Sequence, residues 1–436
     1  MTDQVLTILF IMMAVVALIL PEMALDRKIA NATIAFGYRI LLLLVSPVLA
    51  LLAIGLHLIT YSNSTDAVKP LLGPILFVLF AVPLSILLDR LGFFSLIAVS
   101  IVKRKHSLSV LWILAALVVA VLNLDTAIVL LTPIYIDIAR KKEMSPFALA
   151  LQPALLSGIA SLFLPISNVT NLIVASKFHL GPEDFLKHLA LPGLVAVSVG
   201  FIFYALSCKR LNINNTDAKA ENRENRDLPE SKSPDKTSSR DFLLAENIAL
   251  TGSRKIMTIG TLLCLGAAIG FTLIPLIGGA PWEIALAADL ILIALIKKVP
   301  WKAIPLQIAV NVFSLAILAA SFERHIDFRN LLIHTSVLGQ LQAGVLAAAF
   351  SNLANNLPAT LGIVSGLHRT APLWPVLVGT NIGSLFLPGG SLAIMLWLSG
   401  LKRLNVHATG ITYIKSAWPI VLPAFAAALA VLVLLR

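Results

Sequence analysis

Apolar stretches of membrane-spanning length recur from one end of the chain to the other, and this constrains the fold more than any other feature. They lie at about 4–21, 37–60, 70–88, 189–208, 256–275, 282–296, 303–320 and 414–435. A helix needs about 20 apolar residues to cross a hydrocarbon core of about 30 Å. In that medium each backbone N–H and C=O must be satisfied within its own segment, which a helix achieves and a lone strand does not. With 58% of its 436 residues hydrophobic and 13% charged, the chain has more apolar surface than a soluble core can use. The fold class is an all-α polytopic membrane protein. Its start, Val5–Leu20, lacks a basic leader and a small-residue cleavage site. It reads as the first span and not as a signal peptide.

Two apolar segments, 146–176 and 372–399, are interrupted in the same way. The pentapeptide SLFLP stands in both, at Ser161–Pro165 and at Ser384–Pro388. The first copy reads IASLFLPISNVTNLIV (Ile159–Val174) and the second IGSLFLPGGSLAIMLW (Ile382–Trp397); Ser167 falls against Gly390, and Asn168 against Ser391. Proline lacks the amide donor and crowds the preceding turn, so each helix must break there. A break frees backbone groups that hydrocarbon tolerates only where they line a cavity or lie buried in protein. Paired interruptions at corresponding places in two halves point to a transporter's binding site.

A short-armed pair of apolar segments precedes each break. Residues 107–139 flank the tip NLDTA (Asn123–Ala127), and 334–368 flank FSNLANNLPAT (Phe350–Thr360). In the first, arms of about 12–16 residues are short for a full crossing. In the first pair, Lys103–Lys105 precede one arm and Arg140–Lys142 follow the other. A re-entrant hairpin explains both facts; two thin full spans would give the same sidedness. Amphipathic pieces at 91–102 and 326–333 suit the membrane interface, and YSNSTDAVK after the second span reads as a polar turn.

Residues 209–255 are polar and lack a sustained apolar period, so they read as a solvated cytoplasmic linker. They divide the chain into a first repeat, 1–208, and a second, 256–436. With the loop after span 1 in the cytoplasm, short cytoplasmic segments collect sixteen Lys and Arg against seven outside, and the linker holds the other ten of 33. That bias supports the orientation. It puts both termini outside and opens the two hairpins to opposite faces, so the halves form an inverted repeat. The net charge of +11 is thereby a topology signal and gives no reason to expect nucleic acid.

The candidate site is a constellation of two tips and two breaks. In the first tip the polar residues are Asn123, Asp125 and Thr126. A carboxylate at membrane depth is costly and marks an ion or proton site, so Asp125 is the candidate for proton coupling; capping the second arm is its other reading. In the second tip stand Ser351, Asn352, Asn355 and Asn356, and laying NLDTA over ANNLP sets Asp125 against Asn356. The breaks contribute Ser161, Ser167, Asn168, Thr170 and Asn171, and Thr380, Asn381, Ser384 and Ser391. The substrate contacts expected from these are Asn123, Thr126, Ser167, Asn168, Asn171, Asn352, Asn355, Asn356, Asn381 and Ser391. Asp289 reads as buried at a helix interface or as a second proton site. Gln307, Asn311 and Ser314 share one helical face suited to interhelical hydrogen bonds. Cys208 and Cys264 are too far apart for a motif, the histidines show no ligand spacing, and no GxxxxGK[ST] loop occurs. No cofactor, metal or enzymatic chemistry is expected.

At these residues the chain resembles the arsenite efflux permeases, or arsenical pump membrane proteins, of the ion transporter superfamily, which also holds sodium-coupled dicarboxylate carriers. The resemblance rests on LNLDTAIVLLTPI, LPISNVTNLIVASKF, SNLANNLPATL and GGSLAIMLWL. It implies two inverted repeats, each with scaffold helices, a hairpin and a broken helix. It implies export of arsenite or antimonite against protons across a bacterial inner membrane, with a separate ATPase subunit in some members. Where that family often carries an acid before each break and a lysine near the second, this chain has Gly158, Asn381 and Leu385. Arsenic(III) favours three thiolates, and two distant cysteines cannot supply them. Arsenite is therefore expected as the neutral trihydroxide, held by Asn, Ser and Thr. The alternative is a sodium- or proton-coupled carrier of a small anion such as a dicarboxylate, which would want cationic donors or helix N-termini.

Overall fold

The structure is a computed structural model that describes residues 47–93, 96, 107–207, 253–274, 278–301, 304, 306–322, 336–365, 367 and 372–434. The first predicted span, most of the linker 209–255 and the amphipathic piece 326–333 lie outside the described residues, as does most of the piece 91–102. Regular structure among the described residues is helical throughout. In chain order the helices are α1 Tyr61–Val68, α2 Leu72–Arg90, α3 Ser107–Leu122, α4 Leu124–Lys141, α5 Pro146–Ile159, α6 Val169–Phe178, α7 Pro182–Leu206, α8 Ser253–Leu273, α9 Pro281–Ile296, α10 Leu306–Phe322, α11 Val337–Ala354, α12 Asn356–Ser365, α13 Leu373–Asn381, α14 Leu392–Arg403 and α15 Gly410–Leu434. The polar stretch expected as a turn is α1. Thr60 caps it by accepting from the Asn63 amide, a type of contact worth about 1 kcal/mol, and short side chains suffice for two turns.

Among the described residues, four helical stretches are long and apolar enough to cross a membrane: Tyr61–Leu88, Pro182–Leu206, Val337–Ala354 and Gly410–Leu434. Their outer faces show why the sequence is so apolar. Leu186, Leu191, Leu194 and Ile202 of α7, Leu262, Leu265 and Ile269 of α8, and Ile411, Trp418 and Leu422 of α15 are all exposed. Water would penalise such a belt, whereas lipid tails match it.

Helix ends gather at two opposite poles. At the first pole, Arg140 at the end of α4 donates to Leu404 O beyond α14. Tyr204 at the end of α7 donates to Ala148 O in the first turn of α5, and Gln152 donates to Leu108 O at the start of α3. At the second pole, Lys177 at the end of α6 donates to Val364 O at the end of α12. There His188 of α7 stacks on Trp374 at the start of α13, with ring centroids 4.4 Å apart. The pair α3–α4 thus opens at the first pole and α11–α12 at the second. Both turns point into the bundle, where α5, α6, α13 and α14 are interrupted. Around them runs one apolar core that includes Trp112, Tyr135, Trp397 and Tyr413.

Candidate functional site

Each interruption runs through a short irregular segment. The first passes from α5 through Ala160–Leu164 and the 3-10 turn Pro165–Ser167 into α6. The second passes from α13 through the 3-10 turns Gly383–Phe386 and Pro388–Gly390 into α14. The two agree at three pairs of positions. Leu164 and Leu387 are extended, with φ/ψ of −135°/153° and −123°/150°. Asn168 and Ser391 open the following helices at −148°/142° and −141°/128°. The hydroxyls of Ser161 and Ser384 lie 2.8 Å from the carbonyls three residues back, Gly158 O and Asn381 O. The shared pentapeptide therefore encodes a shared backbone path.

The tips are also built alike. A single asparagine with positive φ joins the arms: Asn123 at 111° and Asn355 at 74°. Asparagine visits this region more readily than other residues with a side chain. Asn123 Nδ2 donates to Ile166 O at 3.3 Å, and Asn355 Nδ2 donates to Gly389 O at 3.1 Å. Each acceptor is the residue after the proline of its break. This geometry pairs Asn123 with Asn355 and so sets Asp125 against Leu357, one residue away from the alignment that sets it against Asn356. Three candidate asparagines stand near the second tip, and the letters alone do not show which one turns the chain.

The breaks meet in a polar seam centred on Asn381. Its Oδ1 accepts from Asn168 Nδ2 at 2.6 Å and lies 2.8 Å from the Ser161 hydroxyl. Its Nδ2 donates to Asn171 Oδ1 at 2.8 Å and to Leu377 O at 2.8 Å. Ser161, Asn168, Asn171 and Asn381 are all buried. The backbone fixes which way each amide faces. Asn168 Oδ1 accepts from the Thr170 amide as the cap of α6, so its Nδ2 is turned to Asn381. Asn171 Nδ2 donates to Ser161 O and Leu164 O, so its Oδ1 is turned to Asn381. A carbonyl only accepts and an amide nitrogen only donates, which leaves one orientation for Asn381.

The position equivalent to Asn381 is Gly158, and the two touch. A Cβ on Gly158 would stand 2.5 Å from Asn381 O and 2.8 Å from the Leu385 side chain. The three positions at which the resemblance implies ionisable groups are thus neighbours in space, and here they are a glycine, an amide and a leucine. Among the described residues the seam contains no Lys or Arg.

Freed backbone groups in both breaks are satisfied by protein. In the second, Asn352 Nδ2 donates to Gly383 O at 2.7 Å and its Oδ1 accepts from the Leu387 amide at 2.8 Å. Tyr413 and Trp418 of α15 donate to Leu385 O and Phe386 O. No sequence pattern announced these last two, since both read as ordinary span residues. Gly390 comes so close to Ser384 O that a Cβ would lie 2.1 Å from it, which explains a glycine opposite Ser167. Ser167 itself donates to Ala120 O at 3.0 Å.

Of the expected substrate contacts, Asn168, Asn171 and Asn381 come together in the seam. Asn123 and Ser167 tie the first hairpin to the first break; Asn352 and Asn355 tie the second hairpin to the second. Asn356 and Ser391 are buried beside them. Asp125 and Thr126 belong to the first turn of α4, and their side chains lie outside the described residues. Asp289 is buried on α9, and its Oδ1 has no hydrogen-bond partner among the described residues. Ser314 bonds back to Val310 O, and the side chains of Gln307 and Asn311 lie outside the described residues. Among the described residues no cluster of His, Cys, Asp or Glu could hold a metal. A cavity of about 240 Å³ touches the first break from the second pole; its wall includes Phe77, Leu164, Pro165, Ile166, Phe271 and Pro281.

The sequence matches a family described as citrate transporter, CitMHS, over residues 4–377. It is 25% identical over 381 residues to the arsenical pump membrane protein of Escherichia coli K12, covering 80% of this chain and 83% of that protein. A protein of the same description from Yersinia enterocolitica is 23% identical over the same coverage. Among solved structures, the YdaH transporter of Alcanivorax borkumensis aligns over 99% of this chain and 98% of its own, with a TM-score of 0.55 at 14% identity. That likeness is one of fold.

Proposed function

Because this chain belongs to the CitMHS citrate transporter family and is a membrane transporter, not an enzyme, we propose that it exports arsenite or antimonite as the neutral trihydroxide in exchange for protons. The seam carries this reading. Its groups are amides and a hydroxyl, donors and acceptors in balance, with no fixed charge among the described residues. Such a surface suits a small uncharged polyhydroxyl solute and releases it easily, because each net hydrogen bond is worth only about 1 kcal/mol. The relatives described as arsenical pumps point the same way.

Asp125 is the proton carrier in this reading, since a carboxylate at membrane depth is costly and marks an ion or proton site. The two halves, 1–208 and 256–436, act as inverted repeats joined by the linker 209–255. The opposed poles of the hairpins and the matched breaks support that relation. The protein would sit in a bacterial inner membrane with both termini outside, with proton exchange as the drive. A separate ATPase subunit would be an addition to it.

A second reading is an ion-coupled carrier of a small anion, favoured by the description of the family as citrate transporters. Reconstituted vesicles decide. An imposed pH gradient is expected to drive arsenite accumulation, and Asp125→Asn to abolish the driven component while leaving slow equilibration. Sodium- or proton-driven citrate uptake with no arsenite movement would establish the second reading in its place.

A further inference from the structure

We infer that the Asn381 side chain stands in for the transported solute, and that broken helix 1 displays a recognition pattern for a neutral hydroxyl-bearing molecule. The inference rests on the transporter reading above. It comes from the direction of each hydrogen bond. With its own backbone contacts fixed, broken helix 1 offers Asn381 an amide donor from Asn168, a hydroxyl from Ser161 and an acceptor, Asn171 Oδ1. The Ser161 hydrogen is shared between Gly158 O and Asn381 Oδ1, both pure acceptors, so this group also donates. Whatever fills the place of the Asn381 amide must accept at two points and donate at a third.

A neutral hydroxyl solute meets that demand, since each hydroxyl donates once and accepts twice. A carboxylate accepts only. It would leave Asn171 Oδ1 buried without a donor, and the backbone contacts of Asn171 prevent the amide from turning round. An unmet buried acceptor costs about 1–3 kcal/mol. The seam therefore selects against anions by the direction of its hydrogen bonds, without needing a charge.

The other half has no counterpart. Gly158 occupies the position of Asn381 and has no side chain to reach the second break. Ser391, in the position of Asn168, makes no cap bond with its hydroxyl. The first break is thus filled by an amide from the opposite half, whereas the second is bridged by Asn352 of its own hairpin, so solute entering the first must displace Asn381.

The test uses the full chain in vesicles, with Cys208→Ala and Cys264→Ala and a reporter thiol from Thr170→Cys. Thr170 is 1% exposed and its hydroxyl has no partner among the described residues, so the thiol reports access to the seam. Asn381→Ala and Asn381→Leu are both expected to raise its alkylation rate at least ten-fold. Leucine has as many side-chain heavy atoms as asparagine and leaves no void, so a rise there does not come from an added cavity. Boric acid, a neutral trihydroxide inert to thiols, should then slow labelling in Asn381→Ala, and succinate, a dicarboxylate with no hydroxyl, should not. Unchanged labelling in both variants overturns the inference, as does slowing by succinate or by neither solute. If boric acid protects but arsenite is not moved by wild-type vesicles, the arsenite reading falls and the solute-mimic inference stands.

Discussion

A side-chain amide is the smallest group that donates and accepts through separate atoms, and asparagine carries most of the polar work in this bundle. Asn123, Asn168, Asn171, Asn352 and Asn355 each satisfy a backbone group that an interruption or turn exposes, and Asn381 bonds back to Leu377 O of its own helix. Asn355 does so at a cost. Its φ/ψ of 74°/150° lies near a region populated almost only by glycine, where other residues are strained by about 1–3 kcal/mol. Asn355→Ala keeps the strain and loses the bond to Gly389 O, and is expected to lower stability by about 2–3 kcal/mol. Asn355→Gly relieves the strain and loses the same bond, so it should cost about 1 kcal/mol or less. Thermal unfolding in detergent measures both. Equal losses would mean that the conformation is unstrained.

At the scale of elements, the contact between the two broken helices depends on an absent side chain. Gly158 allows Asn381 O and Leu385 to pack against the end of α5. Gly158→Ala puts a methyl into space that backbone already occupies. Overpacking of this kind costs about 1–3 kcal/mol, and the relief available is to part α5 from α13. The variant should therefore lose stability and also show faster labelling of the Thr170→Cys reporter with Asn381 intact. Wild-type labelling together with wild-type stability would show that the helices shift at no cost. The breaks themselves were legible in the sequence, because proline acts on its own turn. Their closure was not, because the donors that seal them, Tyr413 and Trp418 among others, come from a helix that reads as a plain span.

For the whole molecule, the two poles are the testable statement. Asn405, in the turn between α14 and α15, and His179, which ends α6 in a left-handed conformation, are both exposed. Asn405→Cys and His179→Cys should react with an impermeant thiol reagent from opposite sides of sealed vesicles, Asn405→Cys from the cytoplasmic side. Labelling of both from one side would remove the inverted arrangement. The expectation of which side each faces comes from the distribution of Lys and Arg, since positive charge is retained in the cytoplasm by a rule that acts loop by loop.

Hydropathy and proline positions by themselves determined that this chain is a helical membrane protein and where its helices are interrupted. Each of these signals acts within one segment, so a linear reading captures it. The tertiary structure decided the register of the two tips, the meeting of Gly158 with Asn381, and the direction of every hydrogen bond in the seam. Asn168 and Asn381 are 213 residues apart, and an amide looks the same in sequence whichever way it faces. Only the carbonyls and amides that folding brings around it fix which end donates.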